Sequence, residues 1–180
     1  MNKSNREIKA LIGLGNTGAK YEKTYHNIGR IFIDYYRSIL KDEAVTSFIS
    51  PSKKNFEYCQ LSNKILIKPK TFMNNSGLAA KQAVAYFKIN PEEIAVVHDD
   101  SDMFIGNYKI IFDQRSAGHK GVQSIIDNLK TQKFWRIKIG IRPSKEAIRK
   151  KAQEFVLKRI TKKDESDLAL VFGRIILELK

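Results

Sequence analysis

Short apolar runs that alternate with helix-spaced apolar segments constrain this sequence more than any other feature. Residues 8–15 form an apolar run closed by glycines, and residues 94–97 form another that ends in His98, Asp99 and Asp100. Between them, the apolar residues of 28–40 follow the three- and four-residue spacing of an amphipathic helix. This alternation predicts an α/β protein whose strands are buried between helices.

The remaining segments predict a mixed sheet. We expect further strands at 56–61, 65–68, 108–112 and 136–141, and further helices at 78–89 and 121–129. A turn at 62–64 joins the first two of these strands as a hairpin, which requires an antiparallel pair. Two amphipathic helices should close the chain, the first capped by Ser144 and the second opened by Thr161. Residues 1–180, without repeat or linker, are interpreted as a single α/β domain, a twisted mixed β-sheet with helices on both faces.

Cysteine usage and hydropathy exclude several classes of protein. The single cysteine, Cys59, cannot form an internal disulfide, which favours a reducing compartment. No apolar run approaches the roughly 20 residues of a membrane span. The first apolar run is too short and glycine-rich for a signal peptide. We therefore expect a cytoplasmic protein with no membrane association.

The charge balance suggests a polyanionic partner. The chain has 33 Lys and Arg against 19 Asp and Glu, for a formal net charge of +14. Such an excess favours nucleic acid, because neutralised phosphates release counterions. A lysine-rich genome would produce the same excess without an RNA partner, so composition alone leaves both interpretations open.

Four polar side chains should meet at one edge of the sheet. Asn16 follows the first strand, His26 precedes the first helix, Asn74 precedes the second, and Asp99 ends the strand at 94–97. If these strands are parallel, all four groups lie at the carboxyl edge, where helix N-termini also point. A histidine, a carboxylate and two carboxamides form an acid–base site, and they lack the pattern of a metal site.

Residues 13–18 also fit the dinucleotide-binding pattern G-x-G-x-x-G, which makes an NAD(P)-binding oxidoreductase an alternative. Its context is unfavourable, because a polar stretch rather than a helix follows, and the nearest acid, Asp34, falls inside a helix. The other two histidines are interpreted differently. His98 should be structural, and His119 should contact substrate or its own loop.

Four segments together resemble the bacterial peptidyl-tRNA hydrolase family. They are GLGNTG at 13–18 with the following residues to 29, KPKTFMNNSG at 68–77, VHDDSD at 97–102, and SAGHKG at 116–121. Their order and spacing match, over roughly residues 6–178. The resemblance implies hydrolysis of the ester that joins a peptide to the 3′-terminal ribose of tRNA, without metal or cofactor.

The resemblance also implies a role for each site residue. His26 would be the general base, Asp99 would orient it, and Asn74 would position water or stabilise the oxyanion. Asn16 would hold the scissile region. The substrate-binding positions would be Tyr21, Met73, His119 and Lys120.

The implied partner is peptidyl-tRNA, which the protein would bind at the acceptor end and the 5′-phosphate. We expect the protein to be a monomer. The segment FWRIKIG at 134–140 resembles the family's phosphate-clamping segment, with Lys138 where arginine is usual. The tRNA-binding residues would be Lys109, Arg115, Arg136 and Lys138. A catalytically silent tRNA-binding or RNA-binding protein on the same fold is the alternative.

The sequence departs from the family pattern at several positions. Thr17 replaces a proline, Tyr25 replaces an arginine, and the loop at 115–121 is one glycine short. Lys120 replaces a substrate-positioning asparagine. Because lysine cannot accept a hydrogen bond, we expect Lys120 to contact RNA phosphate instead.

Overall fold

Six strands of the described residues form one mixed sheet. The computed structural model describes residues 7–39, 47–143 and 155–180. The strands are β1 (Ala10–Gly13), β2 (Phe56–Gln60), β3 (Ile65–Pro69), β4 (Ile94–Phe104), β5 (Tyr108–Phe112) and β6 (Trp135–Arg142). Their order across the sheet is β2-β3-β1-β4-β6-β5. The four inner strands are parallel, and the edge strands β2 and β5 are antiparallel to their neighbours.

Helices cover both faces of the sheet. They are α1 (Ile28–Ser38), α2 (Ser76–Phe87), α3 (Lys120–Leu129) and α4 (Lys162–Glu178). Since strand side chains alternate, Leu11 and Val97 pack with α1 and α4, whereas Ile12 and Val96 pack with α2 and α3. This architecture confirms the predicted mixed α/β sheet. Within the described ranges, no helix combines the length and apolar character needed to cross a bilayer.

Strand β4 is longer than predicted, and one predicted helix cannot be compared. Strand β4 continues to Phe104 rather than ending at 97, because Asp99 and Asp100 stay in register with Ile139 and Gly140 of β6. The helix expected from Ser144 falls largely outside the described residues. Thr161 caps α4 as predicted, since its side chain accepts a hydrogen bond from the Asp164 amide at 3.2 Å.

Glycines in the first motif allow α1 to begin against the ends of β1 and β4. A Cβ at Gly29 would lie 2.2 Å from the Val97 carbonyl oxygen, and one at Gly13 would lie 2.4 Å from the Gly29 carbonyl oxygen. A short 3-10 turn, Ala19–Tyr21, follows the motif where a dinucleotide fold would begin its helix. Asp34 lies within α1, 2.7 Å from Lys68 Nζ. The motif therefore serves helix–strand packing, which counts against the NAD(P) alternative.

Candidate active site

The predicted polar residues meet at the carboxyl edge of the parallel strands. His26 lies in a 3-10 turn before α1, and Asn74 lies in another before α2. Asn16 follows β1 and Asp99 lies in β4. All four line one cavity of about 610 Å³, together with Met73, His119, Lys120 and Lys138. The structure thus brings together groups separated by up to 83 positions in the chain.

A carboxylate fixes the orientation of the His26 ring. His26 Nδ1 lies 2.9 Å from Asp99 Oδ1 and 3.0 Å from Asp99 Oδ2, and Asp99 is only 5% exposed. An ionised carboxylate can only accept hydrogen bonds, so Nδ1 carries the proton. The lone pair of the neutral ring is therefore on Nε2, where a general base needs it.

His119 is a second partner of the same carboxylate. Its Nε2 lies 3.0 Å from Asp99 Oδ1, while its Nδ1 accepts from the Val122 amide at 3.3 Å and caps α3. The Val122 contact places the His119 proton on Nε2, so Asp99 accepts from both rings. Burial alone would raise the pKa of Asp99, but the interactions with His119 and His26 outweigh it and hold this pKa well below its usual range. Sequence reasoning placed His119 near substrate and missed this contact.

The three side chains of His26, Asp99 and His119 have the composition of a possible metal site, since their ligand atoms lie within 4.8 Å of one another. The hydrogen bonding argues against that use. His119 Nδ1 is occupied as the acceptor for Val122, so Nε2 holds a proton and has no lone pair for a metal ion. The donor set therefore suits proton transfer better than metal binding.

His98 supports the site from the opposite face of β4. It is buried, and its Nδ1 donates to the Asp99 carbonyl oxygen at 2.7 Å. Its ring centroid lies 4.6 Å from that of His119. Burial, followed by the nearby His119, lowers the pKa of His98 to about 3. His98 is therefore a neutral structural residue, in agreement with the alternation of strand side chains.

Asn16 connects the first two motifs through its side chain. Its Oδ1 accepts from the Met73 amide at 2.9 Å, at the start of the turn that carries Asn74. The side chain of Asn27 in turn holds the backbone of Asn16. Asn27 Oδ1 accepts from the Asn16 backbone N–H at 2.8 Å, and Asn27 Nδ2 donates to the Asn16 backbone carbonyl oxygen at 2.9 Å. The sequence analysis gave Asn27 no role, although it lies directly after His26 in the segment that resembles the family.

Two aromatic side chains lie beside the cavity of His26 rather than in its lining. Tyr21 does not line the cavity of His26, but its ring packs edge-on against Phe72 at a centroid distance of 6.4 Å. Phe72 is 56% exposed and directly precedes Met73, which lines the cavity. Phe72 was given no role from the sequence. The half-buried Tyr21 and the exposed Phe72 together form an aromatic surface beside the site.

The basic residues assigned to tRNA binding are placed unequally. Lys138 and Lys120 line the cavity, whereas Lys109 and Arg115 are exposed outside it. Arg136 is only 1% exposed, and its guanidinium donates to the Arg115 carbonyl oxygen at 2.7 Å. The prediction that Arg136 contacts phosphate is therefore wrong. Its buried side chain instead supports the 113–119 loop through the Arg115 carbonyl oxygen.

These features define an α/β protein with an aspartate-oriented histidine at the carboxyl edge of its sheet, an arrangement that is chemically suited to general-base catalysis. Comparison with known proteins names the family. Residues 10–179 match the sequence profile of peptidyl-tRNA hydrolase. The chain belongs to the peptidyl-tRNA hydrolase family.

Individual relatives agree with this assignment. A peptidyl-tRNA hydrolase of Hydrogenobaculum is 44% identical over 161 residues, which span 87% of this chain and 81% of the relative. One of Mycoplasma mycoides is 43% identical over 137 residues, 74% of this chain and 72% of the relative. The crystal structure of peptidyl-tRNA hydrolase from Acinetobacter baumannii superposes with a TM-score of 0.80 at 25% identity, covering 93% of this chain and 84% of that one.

Proposed function

We propose that this protein hydrolyses the ester bond between a peptide and the 3′-terminal ribose of tRNA, with His26 as the general base. The observation that carries the proposal is the pair of contacts between His26 Nδ1 and the buried Asp99 carboxylate, at 2.9 and 3.0 Å. That pair leaves His26 Nε2 as an acceptor for a water proton. Membership of the peptidyl-tRNA hydrolase family indicates that the substrate is peptidyl-tRNA.

The reaction begins with proton transfer from water to His26 Nε2 while the water oxygen attacks the ester carbonyl carbon. Asp99 stabilises the imidazolium that forms, and Asn74 donates to the developing oxyanion. Collapse of the tetrahedral intermediate breaks the bond to the ribose oxygen, which recovers the proton from His26. An ester has a better leaving group than an amide, so an activated water suffices without a covalent intermediate.

Recognition of the peptide rests on the groups around Asn16. The Asn16 Oδ1 is occupied by the Met73 amide, and no described residue accepts a hydrogen bond from its Nδ2. This amide can donate to the carbonyl oxygen of the N-acyl group, whereas the charged amine of an ordinary aminoacyl-tRNA offers it no acceptor. Met73, Tyr21 and Phe72 then provide an apolar surface for the peptide chain.

Recognition of tRNA rests on the basic side chains outside the catalytic pair. Lys138 and Lys109 lie on neighbouring strands and would hold the 5′-phosphate. Lys120 and Arg115 would extend the contact to other phosphates of the acceptor end. We further propose that the protein acts as a cytoplasmic monomer, which needs no partner chain because one chain supplies every group used above.

The test is release of N-acetyl-amino acid from N-acetyl-aminoacyl-tRNA, with the same tRNA carrying an unacylated amino acid as the control. We expect hydrolysis of the acylated substrate and slow or no hydrolysis of the control. A protein that binds both tRNAs but hydrolyses neither would support the catalytically silent RNA-binding alternative. Equal hydrolysis of both would contradict the proposed role of Asn16.

A further inference from the structure

Two lysines form a short row that leads outward from the catalytic cavity. Lys138 of β6 is the register partner of His98 in β4 on one side and of Lys109 in β5 on the other. Register partners project from the same face of a sheet. Because the buried His98 is neutral, the positive charge of this row comes from the two lysines.

Lys138, the lysine nearer to the cavity, already forms an ion pair with a carboxylate, that of Asp100. Lys138 Nζ lies 2.5 Å from Asp100 Oδ2, and the two side chains are 19% and 12% exposed. The other oxygen, Asp100 Oδ1, accepts from the Asp102 amide at 2.9 Å. Burial would raise the pKa of Asp100, but the bonds from Lys138 and the Asp102 amide outweigh it and lower this pKa. Asp100 is therefore an ionised, fixed counter-ion.

We propose that Asp100 competes with a tRNA phosphate for Lys138 and thereby limits the affinity of the enzyme for tRNA. The inference rests on the proposed phosphate contact of Lys138. When a phosphate binds Lys138, Asp100 loses its partner and lies next to a second anion. The free energy gained when the phosphate binds is then only the difference between the Lys138–phosphate and the Lys138–Asp100 ion pairs. This smaller gain favours release of the product tRNA.

Asp100 therefore acts on affinity and release rather than on the chemical step. It lines the same cavity as His26, but it follows Asp99 by one position in β4, so the two carboxylates point to opposite faces of the sheet. Among the described residues, no hydrogen bond joins Asp100 to His26 or His119. Its substitution should consequently change tRNA binding more than it changes the single-turnover rate at saturating enzyme.

The experiment measures the Kd of the full-length protein for deacylated tRNA, and its salt dependence, in a double-mutant cycle of Asp100→Asn and Lys138→Met. Asp127→Asn, on the exposed surface of α3, is the control for the same change in net charge. We expect Asp100→Asn to lower the Kd by about twofold to fivefold beyond the control, the range for one partly exposed ion pair. For Asp100→Asn, the slope of log K against log salt concentration should steepen by about 0.9. The reason is that the contact between Lys138 and the phosphate is then no longer offset by the loss of an ion pair with Asp100.

In the Lys138→Met background the Asp100→Asn effect should shrink to that of the control. Asp100→Glu, which keeps the charge, should keep the wild-type slope, and Asp100→Ser replaces Asp100→Asn if thermal unfolding shows the latter to be misfolded. A Lys138→Met variant that weakens binding while Asp100→Asn leaves it unchanged would overturn the inference and leave the phosphate contact intact. A Lys138→Met variant with wild-type Kd would overturn the phosphate contact itself, and the inference with it.

Discussion

Asn16 and Met73 are joined by a side chain to main chain hydrogen bond of 2.9 Å across 57 positions of sequence. The bond ties the end of β1 to the turn before α2, so the position of Asn74 depends on Asn16. Asn16 is thus both a structural anchor, through Oδ1, and a proposed substrate ligand, through Nδ2.

Two substitutions separate the roles of Asn16. Asn16→Ala removes both functions, and we expect a loss in stability of about 1 kcal/mol, typical of one hydrogen bond. Asn16→Asp keeps an acceptor for the Met73 amide and should retain stability, but it loses the Nδ2 donor. Both variants should show kcat/KM lowered by about 10²-fold, the cost of a misplaced reactant. Full activity in a stable Asn16→Asp variant would contradict the substrate contact.

His119 should contribute through Asp99. His119→Asn can still accept from the Val122 amide at the start of α3, but its shorter side chain cannot reach Asp99. We expect kcat to fall about tenfold or more, since a hydrogen bond to a charged group is worth about 1.5–3 kcal/mol. Steady-state kinetics would reveal the split: a fall in kcat with little change in KM is expected. An unchanged kcat would show that His26 is oriented by Asp99 without help from His119.

His98 should make the stability depend on pH. Its pKa is about 3 in the folded protein and near 6.5 in the unfolded chain, so below pH 6.5 the unfolded state binds more protons. The contribution to stability is fully present above pH 6.5 and is lost as the pH falls toward 3. We expect the free energy of unfolding, measured with urea at pH 7, 6 and 5, to fall more steeply with decreasing pH in wild type than in His98→Gln. The two slopes of free energy against pH should differ by up to about 1.4 kcal/mol per pH unit. Parallel slopes would contradict the buried neutral state of His98.

The crossing of α2 and α3 depends on Gly77. A Cβ at Gly77 would lie 1.9 Å from the Ser124 carbonyl oxygen. We expect Gly77→Ala to destabilise the protein by about 1–3 kcal/mol, the usual cost of overpacking. Gly173→Ala in α4 is the matched control, because its Cβ would lie within 4 Å of no atom in the described part of the chain. That variant should gain about 0.5–1 kcal/mol from helix propensity. Equal destabilisation of both variants would remove the packing argument.

The sequence predicted the fold and the meeting of His26 with Asp99 because periodicity and strand ends are local signals. It could not predict that Arg136 is buried, since a basic residue in a strand gives no sign of the loop that covers it. The contact between His119 and Asp99 was missed for a related reason. It depends on how the 113–119 loop folds back over β4, and Ala117 adopts a positive φ of 50° there. No spacing rule encodes that path.

The central claim is that His26 activates water, and the single-turnover hydrolysis of N-acetyl-aminoacyl-tRNA by His26→Ala tests it most directly. The Kd of the variant for deacylated tRNA, measured in parallel, separates catalysis from binding. General-base catalysis predicts a rate at least about 10²-fold below wild type with an unchanged Kd. A His26→Ala variant that binds tRNA normally and hydrolyses the ester at the wild-type rate would contradict the account.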